Sequence, residues 1–339
     1  MIVLIDGNNT LCRAYYAINS KAPNRSGYDR NEALKASPTA GAHGFLTILF
    51  SLVRKFEPEC VYVAWDAGRD AARTSLFPDY KAGRRTTAEA QEASAVIEEQ
   101  IGLLHRDLLP LLGVPQVRFA GREADDLIAA ATRILTERSK RVVYIVSNDG
   151  DLFQLVDRGT RIVPPTKIKG RTGADGSIGL EDFFEATHFA TPAHYLAAHV
   201  LSGDSSDNIP SVAGIGEKTA QQMVEAYGDL NGILAAKEQI EALGSMAWRM
   251  KKLFSAEGLQ ELARNIQLID LTNGPRLDDE ILEQFAAGGV VPPSTYSPFK
   301  DRMAELGHMD FAMHENDWAR AFTKMRERWD AVTSMVLGG

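Results

Sequence analysis

The chain has 339 residues, of which 45% are hydrophobic and 24% charged, a composition that fits a globular protein of one large or two ordinary domains. No apolar run is long enough to cross a bilayer, the start MIVLIDGNN lacks the basic region of a signal peptide, and Cys12 and Cys60 have no metal or redox spacing. We therefore expect a cytoplasmic protein with no membrane partner, and the formal net charge of −8 argues at first sight against a nucleic-acid partner.

Three apolar runs end in the same way along the chain. They begin at Ile2, Val61 and Val142, and they end at Asp6, at Asp66 and at the pair Asp149 and Asp151. Runs without alternation indicate strands that are buried on both faces. Helical patterns at about 42–56 and 123–138 separate them, which predicts an α/β fold with a parallel sheet flanked by helices.

The acids at the ends of these strands predict a site. An Asp-Gly pair can simply mark a turn. Three such turns that all follow strands favour another interpretation, because ligands bind outside the carboxyl ends of parallel strands. The sequence therefore predicts that these four aspartates meet at one edge of the sheet.

Two further segments add acids. Glu123, Asp125 and Asp126 begin the second helical pattern, where they also fit the positive end of a helix dipole. Asp204 and Asp207 lie between a helical pattern and a proline turn. If all these segments meet, nine carboxylates converge, and their repulsion would be relieved by hard divalent cations such as Mg²⁺ or Mn²⁺. The chain without them has 36 acidic and 37 basic residues, so the charge objection to nucleic acid disappears.

Two segments suggest contacts with phosphate. A concentration of basic residues consists of Arg69, Arg73, Lys81, Arg84 and Arg85, although such a group of charges is often only a solvated surface. It precedes a helical pattern from Thr86 to Leu112, which Thr86 and Glu89 would cap. Residues 214–220 read GIGEKTA, a turn that opens a helix. Glycines there allow a phosphate to approach the backbone and the free N–H groups of the helix start, without reading base sequence.

The sequence resembles a known family in the motifs that contain these residues. They are Leu4–Asn8, Trp65-Asp66, Tyr80–Arg84, Arg122–Asp126, Asp149–Asp151, Gly203–Pro210 and Val212–Ala220. Their order and rough spacing over residues 1–270 are similar to those of 5′-nucleases. That family includes phage 5′–3′ exonucleases, flap endonucleases and the N-terminal nuclease domain of bacterial DNA polymerase I.

The resemblance implies a PIN-like fold and two metal ions, Mg²⁺ or Mn²⁺, that hydrolyse DNA phosphodiesters. Asp6, Asp66, Glu123 and Asp125 would serve the first ion, Asp149, Asp151, Asp204 and Asp207 the second, and Asp126 would lie close to both. Lys81 and Arg84 would be catalytic basic residues at the foot of a helical arch over about 81–112.

The resemblance also implies the DNA contacts. Arg73 and Arg85 would bind DNA, and Tyr80 would stack on a base. Gly214, Ile215, Gly216, Lys218 and Thr219 would form a hairpin in a helix–three-turn–helix unit, with K⁺ on its backbone carbonyls. The expected partner is DNA with a 5′ end, a flap or a single-strand/duplex junction, bound by a monomer.

The predicted organisation has three parts: a nuclease core over 1–190, a DNA-binding region over 191–285, and a connector with a helical tail over 286–339. Residues 19–40 form a longer polar loop than the polymerase-linked members suggest. A PIN-type ribonuclease and a non-catalytic DNA-junction-binding protein remain alternatives. The hairpin argues against the first, and the intact set of acids argues against the second.

Overall fold

The computed structural model describes residues 1–19, 38–68, 70–83, 87–138, 140–165, 172–244, 247–272, 280–281, 283, 295–313, 315, 318–325 and 327–328. Its centre is a parallel sheet of five strands: β1 (Ile2–Asp6), β2 (Cys60–Ala64), β3 (Gln116–Val117), β4 (Val143–Val146) and β5 (Thr160–Val163). Their spatial order is β3-β2-β1-β4-β5, so β1 lies between β2 and β4. The predicted α/β fold with a parallel sheet is confirmed.

Helices cover both faces of this sheet. They are α1 (Gly7–Asn19), α2 (Ala40–Phe56), α3 (Ala71–Leu76), α4 (Ala88–Leu103), a π turn (Leu104–Leu108), α5 (Leu109–Leu111), α6 (Ala124–Glu137), a 3-10 turn (Asp151–Leu155) and α7 (Phe183–Thr187). Helix α6 packs on one face, against Leu4 and Ile145, while α2 and α4 pack on the other, against Val3 and Val63. Alternate side chains of each strand therefore enter two separate cores.

The predicted helix over 86–112 is present with a shifted start. Thr87 caps α4, because its Oγ1 accepts a hydrogen bond from the N–H of Ala90 at 3.2 Å. The expected cap, Thr86, lies outside the described residues.

A second, helical unit follows the sheet. It contains α8 (Pro192–Ser202), a 3-10 turn (Val212–Gly214), α9 (Glu217–Tyr227), α10 (Leu230–Ala235), α11 (Lys237–Glu241), α12 (Trp248–Lys252) and α13 (Ala256–Ile269). These helices share their own apolar core, which includes Leu201, Met223 and Leu268. Helices α8 and α9, joined by turns over 203–216, match the predicted helix–three-turn–helix unit.

The C-terminal tail packs on the domain that contains the sheet. Helices α14 (Ser297–Glu305) and α15 (Met309–Met313) and the helical residues 318–325 place their apolar side chains against α2. Phe50 of α2 stacks on Trp318 with ring centroids 5.4 Å apart. No helix in the described part of the chain is long and apolar enough to cross a membrane.

Candidate active site

The predicted strand-end acids do meet at one edge of the sheet. Asp6 ends β1, and Asp66 and Asp149 follow β2 and β4 within three residues. Because β1 pairs with both other strands in parallel, all three chain segments leave the sheet on the same side. Gly7 is needed here, since a Cβ at this position would lie 2.5 Å from the Trp65 ring.

Hydrogen bonds hold the first acids in place. The carboxylate of Asp6 accepts from the Asn9 N–H at 3.0 Å and from the Ser147 hydroxyl at 2.9 Å. Asp66 accepts from the N–H of Ala124 at 2.7 Å, at the start of α6. Sequence reasoning missed Asn9 and Ser147, although two adjacent amides directly after a strand-end acid were a signal.

A second acidic group lies where the helical unit meets the sheet. The carboxylates of Asp151, Asp204 and Asp207 come within 4.8 Å of one another. The Asp204 loop is closed by backbone hydrogen bonds to Ile209 in both directions. Gly203 permits this closure: its φ is +72°, and a Cβ there would lie 2.4 Å from the Ile209 carbonyl oxygen.

One cavity of about 440 Å³ joins the two groups. Helix α1 contributes Cys12 and Tyr16 to its wall, and α4 contributes Ser94 and Glu98. The aspartates that line it are Asp6, Asp66, Asp125, Asp149, Asp151 and Asp207. Helix α4 thus lies beside the acids, where the arch was predicted.

Burial and mutual repulsion make these carboxylates hard to ionise. Loss of hydration, together with the charges of Asp66 and Asp149, raises the pKa of Asp6 to about 7. Loss of hydration and the charge of Asp149 also raise the pKa of Asp151 to about 7, and the same two causes put the pKa of Asp125 well above its usual range. Oxygen donors at this density fit hard divalent cations, which would restore the ionised form.

Two predicted ligands are engaged elsewhere. Both oxygens of Asp126 accept hydrogen bonds from the Arg73 guanidinium, at 2.7 and 2.8 Å. Oε2 of Glu123 accepts from Arg73, from the Tyr80 hydroxyl and from Lys81 Nζ. The expectation that Asp126 lies close to both metal positions is corrected, because successive residues of α6 point about 100° apart and only Asp125 faces the cavity.

The expected DNA contacts of Arg73 and Tyr80 are also corrected. Arg73 is buried between two carboxylates, and Tyr80 is only 2% exposed. Burial raises the pKa of the Tyr80 hydroxyl, and the charge of Glu123 raises it further. In this structure neither side chain presents a face to a base or a phosphate; both join the α3 segment to the start of α6.

Lys81 lies between the buried network and the cavity. Its Nζ is 2.7 Å from Glu123 Oε2 and 3.4 Å from Asp207 Oδ2, and its N–H donates to the Asp207 carbonyl. Its φ of +55° is unusual for a residue with a side chain and is typical of functional positions. Arg84 and Arg85 lie outside the described residues.

The predicted hairpin is exposed at its glycines. Gly214 and Gly216 are open to solvent with Lys218, Thr219 is half-buried, and Ile215 is buried, so Ile215 can offer only its backbone. Ala213 and Gly214 both have positive φ, which forms the turn. No described side chain caps the N–H groups at the start of α9.

Comparison with known proteins now decides the family. A family model described as 5′-3′ exonuclease, N-terminal resolvase-like domain, matches residues 1–182. A second model, 5′-3′ exonuclease, C-terminal SAM fold, matches residues 190–278. The chain belongs to the 5′-3′ exonuclease family. The first match spans the acidic edge and the second spans the hairpin.

Individual relatives agree with the family. A 5′-3′ exonuclease of Halalkalibacterium halodurans is 30% identical over 91% of this chain and 94% of that protein. A 5′-3′ exonuclease of Streptomyces coelicolor is 32% identical over 84% of this chain and 94% of its own length. The DNA polymerase I of Lactococcus lactis (strain IL1403) is 31% identical over 83% of this chain, but the chain spans only 30% of that relative.

The fold of this chain is shared with a solved structure. A bacteriophage T5 flap endonuclease, solved with DNA and metal ions, matches 90% of this chain and 98% of its own with a TM-score of 0.60 at 21% identity.

Proposed function

We propose that this chain is a structure-selective nuclease that hydrolyses DNA phosphodiesters at 5′ ends and 5′ flaps with two divalent ions, Mg²⁺ or Mn²⁺. The observation that supports this most is that six aspartates line one cavity, with Asp204 beside Asp151 and Asp207, in a chain of the 5′-3′ exonuclease family. Asp6, Asp66 and Asp125 would hold one ion, and Asp149, Asp151, Asp204 and Asp207 the other. When bound, two such ions activate a water molecule and stabilise the leaving oxygen.

The protein's own groups would handle the DNA around this centre. Lys81 Nζ is a charged donor on the cavity wall and would move from Glu123 to a phosphate oxygen. Glu123, which also accepts from Arg73 and Tyr80, is a positioning residue for that lysine. The hairpin at Gly214 and Gly216 would hold the duplex backbone irrespective of sequence, with K⁺ as a candidate ion on its carbonyls.

The test is a titration of chelator-treated protein with Mg²⁺ and Mn²⁺ on a 5′-flap DNA and on an RNA of the same sequence and shape. We expect metal-dependent cleavage of the DNA near the junction and little cleavage of the RNA. Preferential RNA cleavage would identify a ribonuclease of the PIN type. Tight flap binding without cleavage at any metal concentration would identify a junction-binding protein.

A further inference from the structure

A small basic pocket lies far from the acids, between the tail and α2. Its volume is about 140 Å³. The C-terminal end of α2 and the residues after it form one side, and the helical tail forms the other. It is lined by Val53, Arg54, Glu57, Pro58, Arg320, Ala321, Lys324, Met325 and Arg328. The tail residues lie beyond residue 278, where the family models end.

The pocket has an apolar floor and a cationic rim. Val53 and Met325 are almost fully buried at its base, and Pro58 is buried beside them. Four cations surround this floor with one carboxylate, Glu57, and only Arg328 is paired with that acid, at 3.9 Å. Arg54, Arg320 and Lys324 are exposed on the rim, whereas Arg328 is half-buried. In the part of the chain that the structure describes, those three accessible cations have no carboxylate partner.

The position of the pocket argues against the nuclease substrate as its occupant. Helix α2 connects two parallel strands, so it runs opposite to them and ends at the edge away from Asp6 and Asp66. DNA held at the acids would therefore have to pass around the sheet to reach this rim. A sugar–phosphate backbone is bound mainly through the charges of its phosphates, so it would not use the apolar floor of this pocket.

We propose that this basic pocket binds an acidic segment of a partner protein that inserts one apolar side chain between the cations. The carboxylates would pair with Arg320, Lys324 and Arg54, and the apolar side chain would cover Val53 and Met325. Charge complementarity of this kind sets partner choice and association rate, while the buried side chain supplies the anchor. This docking site does not depend on the nuclease chemistry.

The experiment measures fluorescence anisotropy of a labelled peptide rich in Asp and Glu with one Phe, titrated with the full chain. The test variant is Arg320→Glu with Lys324→Glu. The control is Arg158→Glu, an exposed cation at the same edge of the sheet. We expect saturable binding of the peptide to the wild-type chain. The double variant should lower this affinity at least about tenfold, and the control variant should leave it unchanged. Added salt should also lower it. Replacing the peptide's Phe with Ser should weaken it as well.

Three outcomes would overturn the proposal: no binding of the peptide to the full chain, equal binding by the double variant, or equal binding of the Phe and Ser peptides. A duplex DNA tested in parallel must not compete with the peptide; if the double variant loses duplex binding instead, the rim is a DNA surface. Cleavage of flap DNA by the double variant at the wild-type rate shows that it is folded.

Discussion

Lys81 is the residue whose surroundings most favour a catalytic role. A lysine that merely attracts DNA would be expected at an exposed site, yet Lys81 is held between Glu123 and Asp207 on the wall of the cavity. Lys218, exposed at the start of α9, is placed as a binding lysine would be. Substituting each lysine in turn therefore allows a catalytic lysine to be compared with a binding lysine in the same cleavage assay.

We expect Lys81→Ala to lower the single-turnover rate at saturating enzyme at least about tenfold, equal to about 1.4 kcal/mol of barrier. Lys218→Ala should instead raise the half-saturation concentration and leave the plateau rate almost unchanged, because steering is bypassed at saturation. The measurement is single-turnover cleavage of flap DNA over a range of enzyme concentrations. An unchanged plateau for Lys81→Ala would make it a binding residue.

The acids predict a stability that depends on pH in the absence of metal. The pKa of Asp151 in the folded protein is raised to about 7, while the unfolded chain releases this proton near pH 4. Between these values the folded state binds more protons, so the stability of the metal-free protein falls as the pH rises and is lowest above pH 7. Asp151→Asn removes this titration.

We therefore expect metal-free Asp151→Asn to unfold at a higher urea concentration than wild type at pH 8, with the difference shrinking toward pH 4. Cleavage should be lost in this variant at every metal concentration, while affinity for flap DNA in Ca²⁺ is kept. Urea unfolding in EDTA at several pH values is the measurement. A difference that grows toward low pH would contradict the assigned repulsion.

At the scale of elements, the sequence predicted the parts that follow from local pattern. The strands ending at Asp6, Asp66 and Asp149 were found because buried parallel strands are continuous apolar runs. The edge strands were missed, since β3 has only two residues and β5 reads TRIV, which is not a continuous apolar run. The order of parallel strands depends on crossovers through space, which no local pattern encodes.

The limits of the site prediction have the same origin. Arg73 and Tyr80 belong to a basic and aromatic run, and such a run looks the same whether it faces DNA or buried carboxylates. Asp125 and Asp126 are adjacent in sequence, and only the rotation of α6 against the sheet decides which one faces the cavity. The environment of Arg73 and Tyr80 and the orientation of Asp125 and Asp126 both depend on packing between elements that are distant in sequence.

The junction of α3 and α6 predicts a structural role for Arg73. Arg73→Ala would leave Glu123 and Asp126 buried without their shared guanidinium, and breaking a buried pair costs about 3–5 kcal/mol. We expect a loss of this size in urea unfolding at pH 7. Arg158→Ala, at an exposed site, should change stability by less than about 0.5 kcal/mol. A fully stable Arg73→Ala with weakened DNA binding would restore the phosphate contact.

The hairpin allows a substitution that tests DNA contact without harming the fold. A Cβ at Gly216 would meet nothing within 4 Å, and its φ of −80° suits any residue. We expect Gly216→Val to keep wild-type stability but to weaken duplex binding equally for unrelated base sequences, because the contact is to the backbone. Fluorescence anisotropy with two duplexes measures this. Wild-type affinity would remove the hairpin from the DNA site.

At the scale of the whole molecule, the tail lies outside the two family models. The nuclease core and the helical unit are covered by the family models, whereas residues 295–328 are not. The sequence predicted a helical tail over 286–339, but not the surface that it covers. That surface is α2, where His43 pairs with Asp310 at 2.8 Å and Arg328 donates to the Glu57 carbonyl at 2.6 Å. The tail therefore follows α2 from its first turns to its end.

Trp318 and Trp248 lie in contrasting environments and together test this docking. Trp318 is 5% exposed, stacks on Phe50 and donates its indole N–H to the Phe311 carbonyl at 2.9 Å, whereas Trp248 is 53% exposed beside Arg249. Trp318→Ala removes a buried aromatic side chain, which costs about 3–5 kcal/mol, while Trp248→Ala should be nearly neutral. Because the tail is a peripheral segment that packs on α2, part of this loss should appear as local release of the tail before the core unfolds.

We therefore expect limited proteolysis of Trp318→Ala to remove the tail at a protease concentration that leaves wild type and Trp248→Ala intact, together with a lower thermal midpoint. Flap cleavage by Trp318→Ala at 25 °C should stay near the wild-type rate, because the acids and the hairpin lie on other elements. A tail equally resistant in all three proteins would show that Trp318 does not hold it on α2.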